Sequence, residues 1–346
     1  MRDRPNDSVA PVSVVMPCFN AESTVDQAVA SLLEGSWRDF ELIGVDDGSD
    51  DGTLGRLQAW AERDRRVRPL AIEHGGLVPA LNAGWREAGG RLVARMDADD
   101  VALPDRLTRQ VALLDERPEL AAVGSLVESF PPQATRRGYQ IYLEWLNSLT
   151  EPDEIAREIF VESPLPHPTV VIRREWLVQM GGYQDHGWPE DYDLWLRMHL
   201  AGARFAKVPR VLLAWRDHET RATRTDSRYA VENFLRAKAH YLALGPLASA
   251  DGVIVWGAGQ MGRRLSKHLL RADVAIDAFI DIDPNKIGRQ RRGRPVLSPE
   301  ALMDRWRRLK RPKLLAVVGS HKARPAIRTH LTELGLVEGR DWWAAA

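Results

Sequence analysis

Leu92-Val93-Ala94-Arg95-Met96-Asp97-Ala98-Asp99-Asp100 is an apolar run that ends in carboxylates, and Glu41-Leu42-Ile43-Gly44-Val45-Asp46-Asp47-Gly48-Ser49-Asp50-Asp51-Gly52-Thr53 has the same form upstream. Each reads as a β-strand delivering acids at its carboxyl end. In open α/β sheets ligands gather outside that edge, so two acidic strand ends can build one site. Repulsion among the carboxylates asks for a cation, and a hard ion holding phosphate oxygens suits the charge.

Working outward, Val12-Ser13-Val14-Val15-Met16 is an earlier strand, followed by Pro17, Cys18, Phe19 and Asn20. Asn20 is expected to cap a helix whose Val25, Ala28, Val29, Leu32 and Leu33 recur at helical spacing before Gly35. Further helices are expected over Leu54 to Arg63, after Gly75-Gly76 and over Pro104 to Glu116, with strands over Val67 to Ile72 and Leu120 to Val127. Strand and helix alternate, which implies a mostly parallel sheet. From Pro131 to Leu149 the period loosens. Tyr139, Tyr142 and Trp145 there read as the packed face of an amphipathic helix.

The opening strand with Pro17-x-Phe19-Asn20, the Asp46-Asp47-Gly48-Ser49 turn, the Asp97-x-Asp99 motif and then Glu190-Asp191 occur in a fixed order. The pattern, over roughly residues 10 to 220, strongly resembles the family 2 inverting glycosyltransferases of GT-A fold. The resemblance implies a metal-dependent enzyme that moves a sugar from a nucleotide diphosphate, UDP or dTDP, to a hydroxyl. Relatives of this kind commonly build cell-surface polysaccharide or glycoconjugates, so a saccharide or lipid-linked acceptor is expected.

It also implies roles. Pro17, Phe19, Asn20, Asp46 and Asp47 are expected around the nucleoside. Asp99 is the expected direct ligand of Mg²⁺ or Mn²⁺, and Asp97 contacts ribose or the metal shell, with Asp100 outside it. In Trp215-Arg216-Asp217-His218, Arg216 would meet diphosphate and His218 would complete the metal shell. His167 is a weaker candidate, and the resemblance makes acceptor contacts the alternative to core packing for Tyr139, Tyr142 and Trp145. Asp191 is the implied general base, Glu190 orients the site, and Trp188 is available to stack on a sugar. A helix-start carboxylate is pulled down in pKa by the helix dipole and pushed up by desolvation.

A second domain is expected near Asp251. Val253-Ile254-Val255-Trp256 reads as a strand and Gly257-Ala258-Gly259-Gln260-Met261-Gly262 has the spacing of a dinucleotide fingerprint. Asp281 then ends a second strand at the distance of a ribose-binding acid, and Leu314 to Val318 is a third. The segment resembles small Rossmann-like domains attached to sugar acyltransferases and some methyltransferases. The expected fold is therefore α/β: a GT-A domain over 10–245 and a small Rossmann-like domain over 251–346, with Gly257, Gly259, Gly262 and Asp281 as nucleotide candidates. For that second domain three readings stay open: a nicotinamide-dependent or nucleotide-sugar-modifying enzyme, a nucleotide-binding regulator, and a binding or dimerisation module.

With 346 residues the chain exceeds a usual single core, which agrees with two domains. Its Lys+Arg and Asp+Glu counts are equal, so no net field argues for nucleic acid. Cys18 is the single cysteine, the amino terminus lacks the apolar core of a signal peptide, and no run is long enough to span a bilayer. A cytoplasmic protein is expected; peripheral membrane association and a homodimer stay open.

Overall fold

The computed structural model describes residues 11–131, 137–218, 221–320 and 322–346. The chain divides into two compact units, the first made of Met1–Ile155, Pro164–His186 and Ala201–Arg224 and the second of Ala156–Ser163, Gly187–Leu200 and Thr225–Ala346.

The first unit is built on an eight-stranded sheet. Its strands are β1 (Val12–Cys18), β2 (Phe40–Asp46), β3 (Val67–Ala71), β4 (Leu92–Arg95), β5 (Val101–Ala102), β6 (Leu120–Phe130), β7 (Val171–Arg173) and β8 (Arg204–Arg216), in the order β3-β2-β1-β4-β7-β6-β8-β5. The first four run parallel, as alternating strands and helices predict. Beyond β4 the expectation of a mostly parallel sheet fails: β7 lies antiparallel to both β4 and β6, and β5 antiparallel to β8. Residues from 101 onward are no longer joined by regular strand–helix crossovers, so nothing in the local pattern specifies strand direction.

Burial explains which runs become central strands. β1 buries every residue except Pro17, which is half-buried, and so reads as a continuous apolar run rather than an alternating one. Helix α1 (Val25–Leu33) buries the five residues picked out by periodicity. It starts after Thr24, however, and Asn20 does not cap it. Asn20 instead has φ 50°, a left-handed conformation that asparagine tolerates, and ties the first loop to the second. Helices α2 (Thr53–Arg63), α3 (Leu77–Glu87) and α4 (Arg106–Glu116) follow the expected positions closely. The loosely periodic segment forms helix α5 (Arg137–Ser148), and Tyr139, Tyr142 and Trp145 pack partly buried against the apolar core. This is the packing alternative of the two.

The second unit has its own six-stranded sheet, β11-β12-β10-β9-β13-β14. Strands β9 (Gly252–Trp256), β10 (Ile276–Ile280), β12 (Arg294–Leu297), β13 (Pro312–Ala316) and β14 (Trp342–Ala344) are parallel, and β11 (Gln290–Arg291) pairs antiparallel with β12. Helix α11 (Gln260–Arg271) follows β9. The same unit takes in helices that precede residue 245: α8 (Glu190–Leu200) and α10 (Val231–Leu244). The short helices α6 (Pro152–Glu158), α7 (Arg174–Met180) and α9 (Ala222–Thr225) complete the series up to α10. No helix of the described residues is long and apolar enough to cross a membrane.

Candidate active site

Parallel registry puts Cys18 beside Asp46 and Val15 between Ile43 and Arg95, so the carboxyl ends of β1, β2 and β4 are neighbours. This is how three distant motifs meet. Asn20 N–H donates to Ser49 Oγ at 3.0 Å and its Oδ1 accepts from Asp50 N–H at 3.0 Å, fastening the first loop to the second.

Asp46 and Asp47 are both buried but do different work. Asp47 Oδ1 and Oδ2 accept from Gly75 N–H and Gly76 N–H, each at 2.9 Å, and hold the turn that starts α3. Asp46 Oδ2 accepts from Ser49 N–H at 3.3 Å, whereas its buried Oδ1 has no partner among the described residues. An orphaned buried carboxylate oxygen costs stability unless a ligand donates to it. Phe19 is 47% exposed and stacks on His74, with ring centroids 4.3 Å apart and planes 22° apart. Gly48 makes room for this: φ is +68° and a Cβ there would lie 2.8 Å from His74 N. His74 was not anticipated; only the Gly75-Gly76 pair beside it marks the loop.

The acids after β4 converge in a turn. Asp97, Asp99 and Asp100 each offer a carboxylate oxygen, and these lie within 4.8 Å of one another. Strand alternation is not the cause, because β4 ends at Arg95 and the turn brings the acids together. Asp100, expected outside a metal shell, belongs to the cluster. Its Oδ1 accepts from Arg216 N–H at 2.8 Å, and its buried Oδ2 has no partner among the described residues. Burial, followed by repulsion from Asp97 and Asp99, pushes the Asp100 carboxyl well up. Burial and Asp97 likewise raise Asp99, against the pull of His218 and Arg221. A divalent cation relieves this crowding, so the donor set fits one.

Basic side chains surround the cluster. His218 Nε2 lies 2.9 Å from Asp99 Oδ2, within hydrogen-bond distance. Arg95 is buried and paired with Asp97. Burial works against its charge, but the pull of Asp97 prevails and raises its pKa. Arg216 donates from Nε to Asp99 O at 2.6 Å and from Nη2 to Gln27 Oε1 at 2.6 Å, and its guanidinium sits 4.8 Å from the Phe130 ring. Its fork is thus largely committed to the protein. Arg221, which was missed, stands 4.0 Å over the Trp215 ring and donates to Tyr139 Oη at 2.8 Å. Pro17 is half-buried at the end of β1. His167 is buried, with Nε2 3.0 Å from Tyr183 Oη, and burial followed by Arg95 drives its pKa well down, so it is a core histidine.

Glu190 and Asp191 open α8, in the second unit. Glu190 is buried, and both its oxygens accept from Tyr229 Oη, at 3.0 and 2.9 Å. Asp191 is half-buried and accepts from Tyr192 N–H at 2.7 Å. Tyr229 was not anticipated. Burial, then Glu190 and Asp191, raises its phenol well above the usual range, so it stays a donor. Trp188 is 8% exposed and its Nε1–H donates to Asp193 Oδ1 at 2.8 Å. A sugar has little of that ring to stack on.

The glycine loop after β9 follows the fingerprint's steric logic. Gly257 has φ +120°, and a Cβ there would meet Val317 O at 2.4 Å. A Cβ on Gly262 would lie 1.7 Å from Gly257 O, whereas one on Gly259 would meet nothing within 4 Å. Asp281, at the end of β10, accepts from Ala258 N–H at 2.9 Å and Asp283 N–H at 3.0 Å and pairs with Lys286 at 3.2 Å. Both its oxygens are therefore occupied in holding the loop.

Residues 13–181 match the family described as Glycosyl transferase family 2. The amylovoran biosynthesis glycosyltransferase AmsE of Erwinia amylovora is 32% identical over 207 residues, 58% of this chain and 74% of that protein. The O-antigen biosynthesis glycosyltransferase WbnJ of Escherichia coli is 27% identical over 238 residues, 66% of this chain and 90% of its own. Among solved structures, S. aureus TarS 1-349 in complex with UDP-GlcNAc superposes with a TM-score of 0.56 at 18% identity, covering 75% of this chain and 72% of the TarS 1-349 chain, which is a likeness of fold.

Proposed function

Since the chain belongs to glycosyltransferase family 2, we propose that it is an inverting, metal-dependent transferase moving a sugar from UDP or dTDP to a hydroxyl during assembly of a cell-surface polysaccharide or glycoconjugate. The observation that carries this reading is the convergence of Asp97, Asp99 and Asp100, two of them with raised pKa, at a strand edge that also holds the unpartnered Asp46 oxygen. The relatives' roles in amylovoran and O-antigen synthesis support the product class, and the UDP-GlcNAc held by TarS supports the donor class.

In this reading Phe19 and His74 form a flat platform for the base, and Asp46 accepts from the nucleoside. Asp99, Asp97 and His218 would hold Mg²⁺ or Mn²⁺, with Asp100 at the same cluster; when bound, the ion neutralises the charge that develops on the departing diphosphate. Arg216, through Asp99 O and Asp100, fixes the turn that presents these acids. Asp191 takes the proton of the acceptor hydroxyl as that oxygen attacks the anomeric carbon and the bond to diphosphate breaks. One displacement inverts the carbon. Glu190, clamped by Tyr229, positions the start of α8. We further propose cytoplasmic action by a transferase domain over 10–245, with 251–346 as an appended Rossmann-like domain.

The test is a thermal-shift and donor-hydrolysis series with UDP- and dTDP-sugars, with Mn²⁺ and with excess chelator. A ligand that binds only the native state raises stability with occupancy. A manganese-dependent shift is expected; full turnover in chelator would overturn the metal-dependent reading.

A further inference from the structure

A cavity of about 620 Å³ opens beside the glycine loop of the second unit, lined by Trp256, Met261, Pro299, Val317, Ile327 and His330 among others. Its size falls within the range of small-molecule sites, and its walls are mostly apolar. His330 Nε2 is buried and has no hydrogen-bond partner among the described residues. An acyl chain would leave that nitrogen unpaired, whereas a heteroaromatic ring can meet it with a polar edge.

A second hollow of about 230 Å³ shares Gly259, Gln260 and Lys286 with this cavity and adds Arg263 and Arg291. Arg291 Nε is also buried and without a partner among the described residues. The acids nearby are already compensated. Asp281 is bound by two backbone N–H groups and Lys286, and Asp283 pairs with the same lysine at 3.4 Å. Arg263 and Arg291 therefore leave the hollow positive. Between the two spaces lies Gly259, where an added Cβ would meet nothing and where α11, twelve residues long, begins with its backbone N–H groups available to an anion.

We propose that the second unit binds a nucleoside diphosphate of its own, with the base in the apolar cavity and the phosphates across Gly259 against Arg263, Lys286 and Arg291. Asp281 acts as a positioning residue that pins the loop and the lysine, and the ribose makes no demand on it. The charge at this site is already positive, so binding needs no metal.

Isothermal titration of the full chain with ADP, GDP, UDP and dTDP, in excess chelator, tests this independently of the transferase reading. At least one diphosphate should bind in chelator, its parent nucleoside more weakly. Gly259→Asp should weaken that binding at least tenfold, because it places a carboxylate where phosphate lies. The position has an extended backbone (φ −76°) and open space, so the fold should survive. If the variant does not fold, Arg263→Glu at an exposed position makes the same test. Asp99→Ala should change this metal-free binding less than twofold. Absence of binding by all four diphosphates in chelator, or binding unchanged by both substitutions, would overturn the proposal.

Discussion

The carboxyl ends of the strands carry opposite charge in the two units. In the first, Asp97, Asp99 and Asp100 crowd together, and burial with their mutual repulsion raises the pKa of two of them. In the second, the acids after β10, Asp281 and Asp283, are both paired with Lys286 and arginines face the hollow. In both proposals the ligand sits at the carboxyl ends of the strands, where strand topology opens a crevice. Charge then decides whether a phosphate group approaches with a cation or directly, since unit charges about 4 Å apart still interact by about 4 kcal/mol at an effective dielectric of 20.

The largest effect should come from the helix that bears the proposed base. Asp191→Asn preserves shape but removes the proton acceptor, and turnover should fall about 10²–10⁴-fold while donor affinity stays within a few fold. Near wild-type turnover with the natural acceptor would transfer the role to Glu190, which Tyr229 holds on both oxygens. Asp99→Ala should fail at an earlier step, weakening manganese-dependent donor binding by about 10²-fold in calorimetry. Equal donor affinity with and without Asp99 would erase the contrast between the acidic and basic strand ends.

A smaller effect distinguishes how the units use ion pairs. In the second, Glu158 is buried and pairs with Arg324 at 2.7 Å and with Arg328, all three charges held by one network. Arg324→Met removes one partner and leaves the carboxylate in place, so urea denaturation should show a loss of about 1–3 kcal/mol, less than a fully broken buried pair because Arg328 remains. In the first unit Arg56→Ala, which loses exposed contacts to Glu22 and Asp26, should shift the same midpoint by no more than the scatter of the measurement.

The smallest effect is set by pH. Hydrogen bonding from His268, opposed by some desolvation and joined by Arg264 and Lys267, lowers the Glu232 carboxyl from 4.5 to about 2. A depressed carboxylate stabilises the fold fully above 4.5 and loses that contribution as pH falls toward 2. Glu232→Gln should therefore lower the thermal midpoint modestly at neutral pH, with the gap to wild type closing across that acid window. A gap that stayed constant with pH would assign the effect to packing between α10 and α11.

The amino-acid sequence by itself determined the parallel half of the first sheet, its helices and the ordered motifs, because local apolar runs and helical periodicity directly encode what each element buries. β1 and α1 are the plainest instances. It also marked the glycine loop, whose spacing is a steric requirement of the turn. Tertiary structure decided what depends on distant partners. Antiparallel β7 is inserted between β4 and β6 by pairing across the chain, and Asp100 joins the acidic cluster because the turn after Arg95 folds it back. Asp46 and Asp47, adjacent in sequence, separate into an unpartnered acceptor and a backbone clamp only once Gly75 and Gly76 arrive. His74, Arg221, Tyr229 and His330 carry no local signature: each earns its place through a ring, a carboxylate or a cavity supplied by another part of the fold.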